Sequence, residues 1–189
     1  FDEYGEVVQS LGTIHNITSI KLYQLKIKNT KEQFESLVSH IPDMIYRCKI
    51  DDDFTILYVN NAIETITGYT IDEIKFNRVV SFVSIIHIDD LAMVRKNINL
   101  MLKNNTLNID LKYRIISKDG RIIWINNNIQ LINDKHHSYF ESVISDITAQ
   151  KVAYDKLYKF IDTQDNMVIL TTGKEIEFAN KKFFQFLGF

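Results

Sequence analysis

The sequence predicts an α+β domain in which helices cover one face of an antiparallel sheet. The predicted elements follow the order strand, strand, several helices and three strands, which is typical of an antiparallel sheet with segregated helices. Hydrophobic residues make up 46% of the chain and charged residues 24%, which is enough apolar material for a packed core. A length of 189 residues accommodates one domain of about 100 to 200 residues with additional segments.

The first half of the domain is predicted from turn and cap signals. Residues 44–50 and 55–59 are apolar and β-branched, and the three aspartates between them are typical of a hairpin turn. A short apolar helix then ends at Gly68, where a left-handed C-cap is expected. Thr70 and Glu73 have the spacing of a capping box, so a further helix is predicted to begin there.

The second half contains one longer helix and three strands. Asp89 or Asp90 is predicted to cap a helix that presents apolar residues at helical spacing up to Leu102. From residue 109 to 115 apolar and polar residues alternate, which predicts a half-buried strand. Two more strands are predicted over residues 121–131 and 138–147.

Three short segments recur in the same order along the chain, which indicates an internal repeat. The first pair is offset by 130 residues, the second by 123 and the third by 120. The pairs are GTIHNITSIK (12–21) with SVISDITAQK (142–151), PDMIY (42–46) with DNMVI (165–169), and LYVNNAIETITGY (57–69) with EFANKKFFQFLGF (177–189).

The repeat predicts one complete unit between two partial ones. The chain starts with Phe1 and not with Met, so we expect it to be a piece of a longer protein. The expected segments are C-terminal strands of a preceding unit (1–18), a connector helix (19–41), a complete domain (34–148), a second connector helix (149–164) and the N-terminal part of a following unit (165–189).

Each connector has a stripe of side chains, most of them apolar in the first connector, that recur at alternating spacings of three and four residues. The repeat offset changes from 130 to 123 residues within the connector, which is a difference of one heptad. The second connector is therefore predicted to be shorter by two helical turns, so that its stripe of side chains keeps the same orientation relative to the unit that follows. Either each connector is an amphipathic helix lying on its own domain, or it pairs in parallel with the same helix of a second chain in a homodimer. The stripes are Ile20, Tyr23, Ile27, Thr30, Phe34, Leu37 and Ile41 in the first, and Gln150, Ala153, Leu157, Phe160 and Gln164 in the second.

Four motifs occur in order along the middle unit: residues 58–74, 85–94, 113–125 and 145–148. Together they resemble the PAS sensor domain, in the type 3-like variety with a C-terminal motif. The resemblance implies a five-stranded antiparallel sheet with helices on one face, flanked here by the amphipathic connector helices. It also implies a module of a tandem multi-PAS bacterial signalling protein, cytoplasmic, that senses or relays a signal to a C-terminal output domain in a sensor histidine kinase or diguanylate cyclase.

Enzymatic and nucleic-acid functions are not supported by the residues of this chain. It contains no P-loop, dinucleotide glycine pattern, HExxH or GxSxG motif. The formal charge of −2 leaves no excess of basic residues to replace counterions on phosphates. No apolar run approaches the roughly 20 residues of a membrane span, although a membrane anchor elsewhere in the parent protein stays open.

The sequence requires no cofactor. PAS relatives that bond flavin covalently carry their cysteine in a helix, whereas Cys48 lies in a predicted strand, where a buried inert thiol is expected. PAS haem sensors take an axial histidine from the long helix, which has none here; His87 precedes it in a predicted capping role. His136 and His137 lack a third ligand for a metal. A non-covalent flavin or haem in another arrangement stays open.

Five residues are candidates for a small-molecule pocket between the sheet and the helices: Tyr46, Tyr58, Tyr113 and Trp124, with Arg78 as a charged anchor. Tyrosine supplies both an apolar wall and a polar group, which ligand pockets require. The competing interpretation is that these aromatic residues only fill the core. The corresponding functions are a ligand-detecting sensor and a ligand-free scaffold that sets dimer geometry.

Three polar residues are predicted to cap helices and to couple the sheet to the connectors. Asn60 and its repeat equivalent Asn180 each end a strand and begin a helix. Asp146 and Thr148 lie where the last strand meets the second connector, so they are expected to cap that helix and to bond back to the sheet. The first copy has Asn16 and Thr18 at the same positions.

Overall fold

The computed structural model describes residues 3–5, 16–134, 137–173 and 175–188, which divide into two compact units, Phe1–His40 and Ile41–Phe189. The first unit contains helix α1 (Thr18–Ser39), at the predicted position of the first connector. The strands predicted for a preceding repeat over residues 1–18 fall almost entirely outside the described residues.

The second unit contains the predicted α+β domain. Its strands are β1 (Met44–Lys49), β2 (Ile56–Val59), β3 (Asn108–Ile116), β4 (Ile122–Asn133) and β5 (Ser138–Asp146). They form one antiparallel sheet in the order β2-β1-β5-β4-β3. Between β2 and β3 lie α2 (Ala62–Thr67), α3 (Ile71–Ile74), a 3₁₀ turn (Lys75–Asn77), α4 (Phe82–Ile85) and α5 (Ile88–Lys103). The predicted five-stranded α+β fold is confirmed.

Alternate strand residues meet the helices in a closed apolar core. Burial along β4 alternates residue by residue, as the period of two requires. The largest fully buried side chains come from strands and helices alike: Met44, Ile56, Ile63, Ile74, Phe82, Val94, Met101, Tyr113, Ile115, Ile125, Phe140 and Ile144.

The predicted end of α2 and the capping box of α3 are confirmed, and the aspartate cap predicted for α5 is wrong. Gly68 adopts the left-handed conformation (φ 77°) after α2, and Thr70 and Glu73 form a complete capping box. The cap of α5 is His87, whose Nδ1 accepts a hydrogen bond from the Asp89 backbone N–H at 3.3 Å. The capping role predicted for His87 is thus confirmed, and neither aspartate is the cap, because the helix begins at Ile88 and includes both aspartates in its first turn.

Beyond the sheet, α6 (Thr148–Asp162) leads to a hairpin of β6 (Ile169–Thr172) and β7 (Glu175–Ala179), followed by α7 (Lys181–Phe186). This hairpin repeats the pairing of β1 with β2. Tyr46 pairs with Val59 in the first hairpin and Ile169 with Ala179 in the second, and both hairpins have a register irregularity just after the next residue pair. The matching irregularities agree with the repeat found in the sequence.

Candidate functional site

A polar cluster lies at the centre of the otherwise apolar core. The Asn127 Nδ2 donates hydrogen bonds to the Tyr46 hydroxyl at 3.0 Å and to the Tyr113 hydroxyl at 2.8 Å. All three residues are buried, and the Asn127 Oδ1 has no hydrogen-bond partner among the described residues. An amide oxygen without a partner in the core retains its capacity to accept a hydrogen bond from a bound molecule.

Burial controls the ionisation of the groups around this cluster. Desolvation raises the pKa of both Tyr46 and Tyr113 well above the usual tyrosine value, so both phenols stay neutral. The Cys48 thiol lies at the same cavity, and burial raises its pKa to about 12. Cys48 is therefore buried as predicted, and neutral hydrogen bonding is the chemistry available at the cluster.

The cavity beside the cluster is small. Its volume is about 10 Å³, and its walls include Tyr46, Tyr113, Asn127 and Phe82. One water needs roughly 10 to 15 Å³, whereas pockets for drug-sized ligands measure roughly 300 to 1,000 Å³. In this conformation this cavity accommodates a water molecule at most.

The structure brings together only two of the five predicted pocket residues, Tyr46 and Tyr113. Trp124 alternates with the buried Ile123 and Ile125, so its side chain lies on the opposite face of the sheet. Tyr58 pairs with the exposed Arg47 in the β1–β2 register and is absent from the cavity wall.

Arg78 is also not an anchor for the interior. Its guanidinium is largely exposed, and its Nη1 donates to the Asp72 Oδ1 at 3.1 Å on the surface. The residue that sequence reasoning missed is Asn127. Asn127 could have been found from its position in β4, because it lies two residues after the buried Ile125 and therefore faces the core.

Trp124 instead joins the sheet to the following helix. Its backbone N–H donates to the Thr148 Oγ1 at 2.9 Å, and its carbonyl accepts from the Ile147 N–H at 2.8 Å. The Thr148 N–H donates to the Asp146 Oδ1 at 2.8 Å, and the Lys151 Nζ lies 5.0 Å from the centre of the indole ring. The first turn of α6 is thereby attached to β4 near the start of that strand.

The same local bond recurs at the start of α1, where the Thr18 N–H donates to the Asn16 Oδ1 at 3.0 Å. Asn60 and Asn180 tie the strands of their hairpins together in the same way: the Asn180 Oδ1 accepts from the Val168 N–H at 3.0 Å, and its Nδ2 donates to the Asn166 carbonyl at 2.8 Å. Asn180 caps α7 as predicted, whereas the N-cap of α2 is Asn61, one residue after the predicted position. The Asn60 amide reaches back to β1, accepting from the Ile45 N–H and donating to the Asp43 carbonyl, each at 3.0 Å. Its side chain thus ties the end of β2 to the start of β1.

On the face of the sheet that carries Trp124, an ion pair joins β3 to α5. The Asp90 carboxylate accepts three hydrogen bonds from Arg114: from Nη2 at 2.7 Å, from the backbone N–H at 2.8 Å and from Nε at 2.9 Å. The Arg114 Cζ lies 5.6 Å from the centre of the Trp124 ring. Asp90 in α5, Arg114 in β3, Trp124 in β4 and α6 thus form a continuous chain of contacts.

Asp90 gives the fold an expected acid sensitivity. Hydrogen bonding to Arg114 holds the pKa of Asp90 below its usual value. A depressed folded-state pKa contributes stability above the unfolded value of about 3.9, and this contribution is lost as the pH falls through the folded value. We therefore expect Asp90→Asn to lower the free energy of unfolding at pH 7 and to flatten its decline below pH 4.

Urea unfolding at several pH values measures both effects, and Trp124, the single tryptophan of the chain, supplies the fluorescence signal. Asp53→Asn, at an exposed carboxylate in the β1–β2 turn, is the matched control and should change neither quantity. An acid slope that is the same in Asp90→Asn and the unaltered protein would contradict the assignment.

Within the described ranges no group of three or more His, Cys, Asp or Glu side chains could hold a metal ion. His136 lies outside those ranges. No helix in the described part of the chain is both long and apolar enough to cross a bilayer.

The sheet order, the helices over one face and the attached exit helix define a small α+β module. Residues 56–144 match the family model described as the PAS fold, and residues 155–189 match that of the PAS domain. The five-stranded unit is therefore a PAS domain. The comparison with curated proteins gave no match.

Solved structures agree with this fold at low sequence identity. The PAS domain of an HTR-like protein from Haloarcula marismortui is 20% identical with a TM-score of 0.55, covering 67% of this chain and 99% of that one. A sensory box histidine kinase/response regulator from Burkholderia thailandensis is 22% identical with a TM-score of 0.53, covering 68% and 94%. A PAS domain from a two-component sensor histidine kinase is 19% identical with a TM-score of 0.50, covering 66% and 98%.

Proposed function

We propose that this chain is a sensory PAS module in a tandem array, which detects a small molecule in its core and relays the signal through connector helices to an output domain. The observation that carries the proposal is the attachment of α6 to β4 by Trp124 and Thr148. Both backbone groups of Trp124 are engaged by the start of α6. A change in the position of β4 is thereby transmitted to the helix that leads towards the second PAS match.

The proposed ligand is a small neutral molecule with one or two hydrogen-bonding groups. The walls of the interior cavity carry no charged side chain, and its polar groups are two phenols, one amide and one thiol. Burying an unpaired charge there would be far more costly than burying a neutral group that can bond to Asn127. The side chains that line the cavity therefore favour a small, neutral, polar ligand.

The proposed output requires two copies of the chain, paired through their connector helices. The apolar stripe of α1 is exposed, with Ile20, Tyr23, Ile27, Phe34 and Leu37 between 55% and 72% accessible. Side chains at alternating spacings of three and four pack against the same pattern in a parallel partner helix. Two of the similar solved structures are named as histidine kinases, which accords with a sensor histidine kinase or diguanylate cyclase as the parent.

The second candidate function is a ligand-free scaffold that sets dimer geometry and relays signals from neighbouring units. The closed interior of about 10 Å³ favours it. One experiment separates the two candidates: purify the chain under native conditions, then record its absorbance spectrum and its intact non-denaturing mass. A sensor is expected to retain a molecule and to show a mass above that of the polypeptide. A colourless protein of polypeptide mass would contradict the sensor and support the scaffold.

A further inference from the structure

A surface cleft and the interior cavity meet at one aromatic side chain. The cleft, of about 160 Å³, lies between α5 and the turn that joins β1 to β2. Its walls include the exposed residues Asp51, Asp52 and Asn99. Phe54 and Ile98 line both the cleft and the interior cavity. Phe54, together with Ile98, therefore lies between the surface cleft and the cavity beside the polar cluster.

The backbone of Phe54 is strained in the position that closes this route. Its φ of 49° lies in the left-handed region, which bulky side chains rarely adopt, yet the residue is only 8% accessible. Burial of the ring compensates for the unfavourable backbone. If the ring leaves the core, the turn can return to an ordinary conformation, so closed and open states compete.

The turn that carries Phe54 is held to α5 by weak contacts. The Arg95 Nη2 donates to the Asp52 carbonyl at 3.0 Å, and the Arg95 Nη1 lies 3.7 Å from the Asp52 carboxylate. The Asp52 side chain is fully exposed and that of Arg95 is 39% accessible. Ion pairs at such exposure contribute little to stability, so this contact with α5 does not by itself hold the turn closed. Beside Phe54, Thr55 donates its backbone N–H to the Asp51 Oδ1 and accepts from the Asn77 Nδ2 at its Oγ1, each at 2.8 Å.

We propose that Phe54 is a gate that swings into the surface cleft and admits a small neutral molecule to the cluster of Tyr46, Tyr113 and Asn127. The proposal rests on the sensor form of the proposed function and accounts for how a closed interior is reached. It places the access route at the β1–β2 turn, beside α5.

Cys48 reports directly on the gate. It is the single cysteine of the chain, is 2% accessible and lines the interior cavity. A small uncharged reagent, methyl methanethiosulfonate, should modify it only through open states. Phe54→Gly removes the ring and tolerates a positive φ, so we expect modification to accelerate at least about tenfold, following the larger open population.

Phe76→Gly is the matched control. Phe76 also has a positive φ, 59°, but its side chain is 51% accessible and lines neither cavity. This variant should be modified at the rate of the unaltered protein. Phe54→Leu keeps part of the apolar side chain, so its Cys48 should be modified more slowly than that of Phe54→Gly. This variant replaces Phe54→Gly in the experiment if the glycine variant does not fold.

Equal rates for the Phe54 and Phe76 variants would overturn the gate. A bulky charged reagent, dithionitrobenzoate, distinguishes local opening from unfolding. If Phe54→Gly speeds modification by both reagents equally, the protein is unfolding and the gate is rejected. The two proposals can fail separately. If Cys48 modification depends on Phe54 as expected but the native protein has the mass of the bare polypeptide, the gate stands and the sensor function is refuted.

Discussion

Inserting four residues after Lys26 in α1 is expected to abolish relay to the output domain, whereas inserting seven should preserve it. Seven residues complete two turns of a heptad pattern, so the stripes before and after the insertion stay in line. Four residues rotate the second part of the stripe by about 50° relative to the first. In a parallel helix pair this rotation moves Phe34 and Leu37 away from the partner.

The measurement is the activity of the output domain in the full-length parent protein, compared between the two insertions. The second connector already lacks one heptad relative to the first, which indicates that whole-heptad changes in length are tolerated. Sedimentation of the isolated chain should show a dimer that survives the seven-residue insertion and weakens with the four-residue one. Indistinguishable output from the two insertions would remove the basis for the helix-pair mechanism.

Replacing Asn127 with alanine is expected to destabilise the domain by about 2 to 6 kcal/mol, because two buried tyrosine hydroxyls each lose a hydrogen bond from the amide at a cost of roughly 1 to 3 kcal/mol. The hydroxyls of Tyr46 and Tyr113 both bond to the Asn127 amide, and all three residues are shielded from water. Tyr113→Phe, which removes one hydroxyl, should cost about 1 kcal/mol. Urea unfolding monitored by Trp124 fluorescence measures each loss.

The adjacent Asn128 provides the control. Its Nδ2 donates to the Asp110 Oδ1 at 2.9 Å in an exposed cross-strand contact on the outer face of the sheet. We expect Asn128→Ala to cost less than about 1 kcal/mol, since water replaces the lost partner. Similar losses for the two asparagine variants would mean that the polar cluster contributes nothing beyond an ordinary surface contact.

The elements themselves could be predicted because their signals are local. The Thr70–Glu73 capping box, the left-handed Gly68 and the alternation along β3 and β4 each involve residues within a few positions of one another. Asp89 and Asp90 were wrongly predicted as caps of α5 because the helix begins earlier, at Ile88. The contact of the Asp90 carboxylate with Arg114, 24 residues further along the chain, has no local signal. Trp124 was assigned to the wrong face, although its alternation with Ile123 and Ile125 carried the information.

By itself, the sequence determined the α+β class and the order of the five strands along the chain; the repeat and the heptad relation between the connectors stay predictions. These follow from hydrophobic periodicity and turn chemistry, which act over short distances. Only the tertiary structure decided which side chains meet. Asn127 lies 81 residues from Tyr46 and 14 from Tyr113, and their contact depends on the sheet order that places β5 between β1 and β4. The position of Phe54 between two cavities likewise depends on packing against α5, which no local pattern specifies.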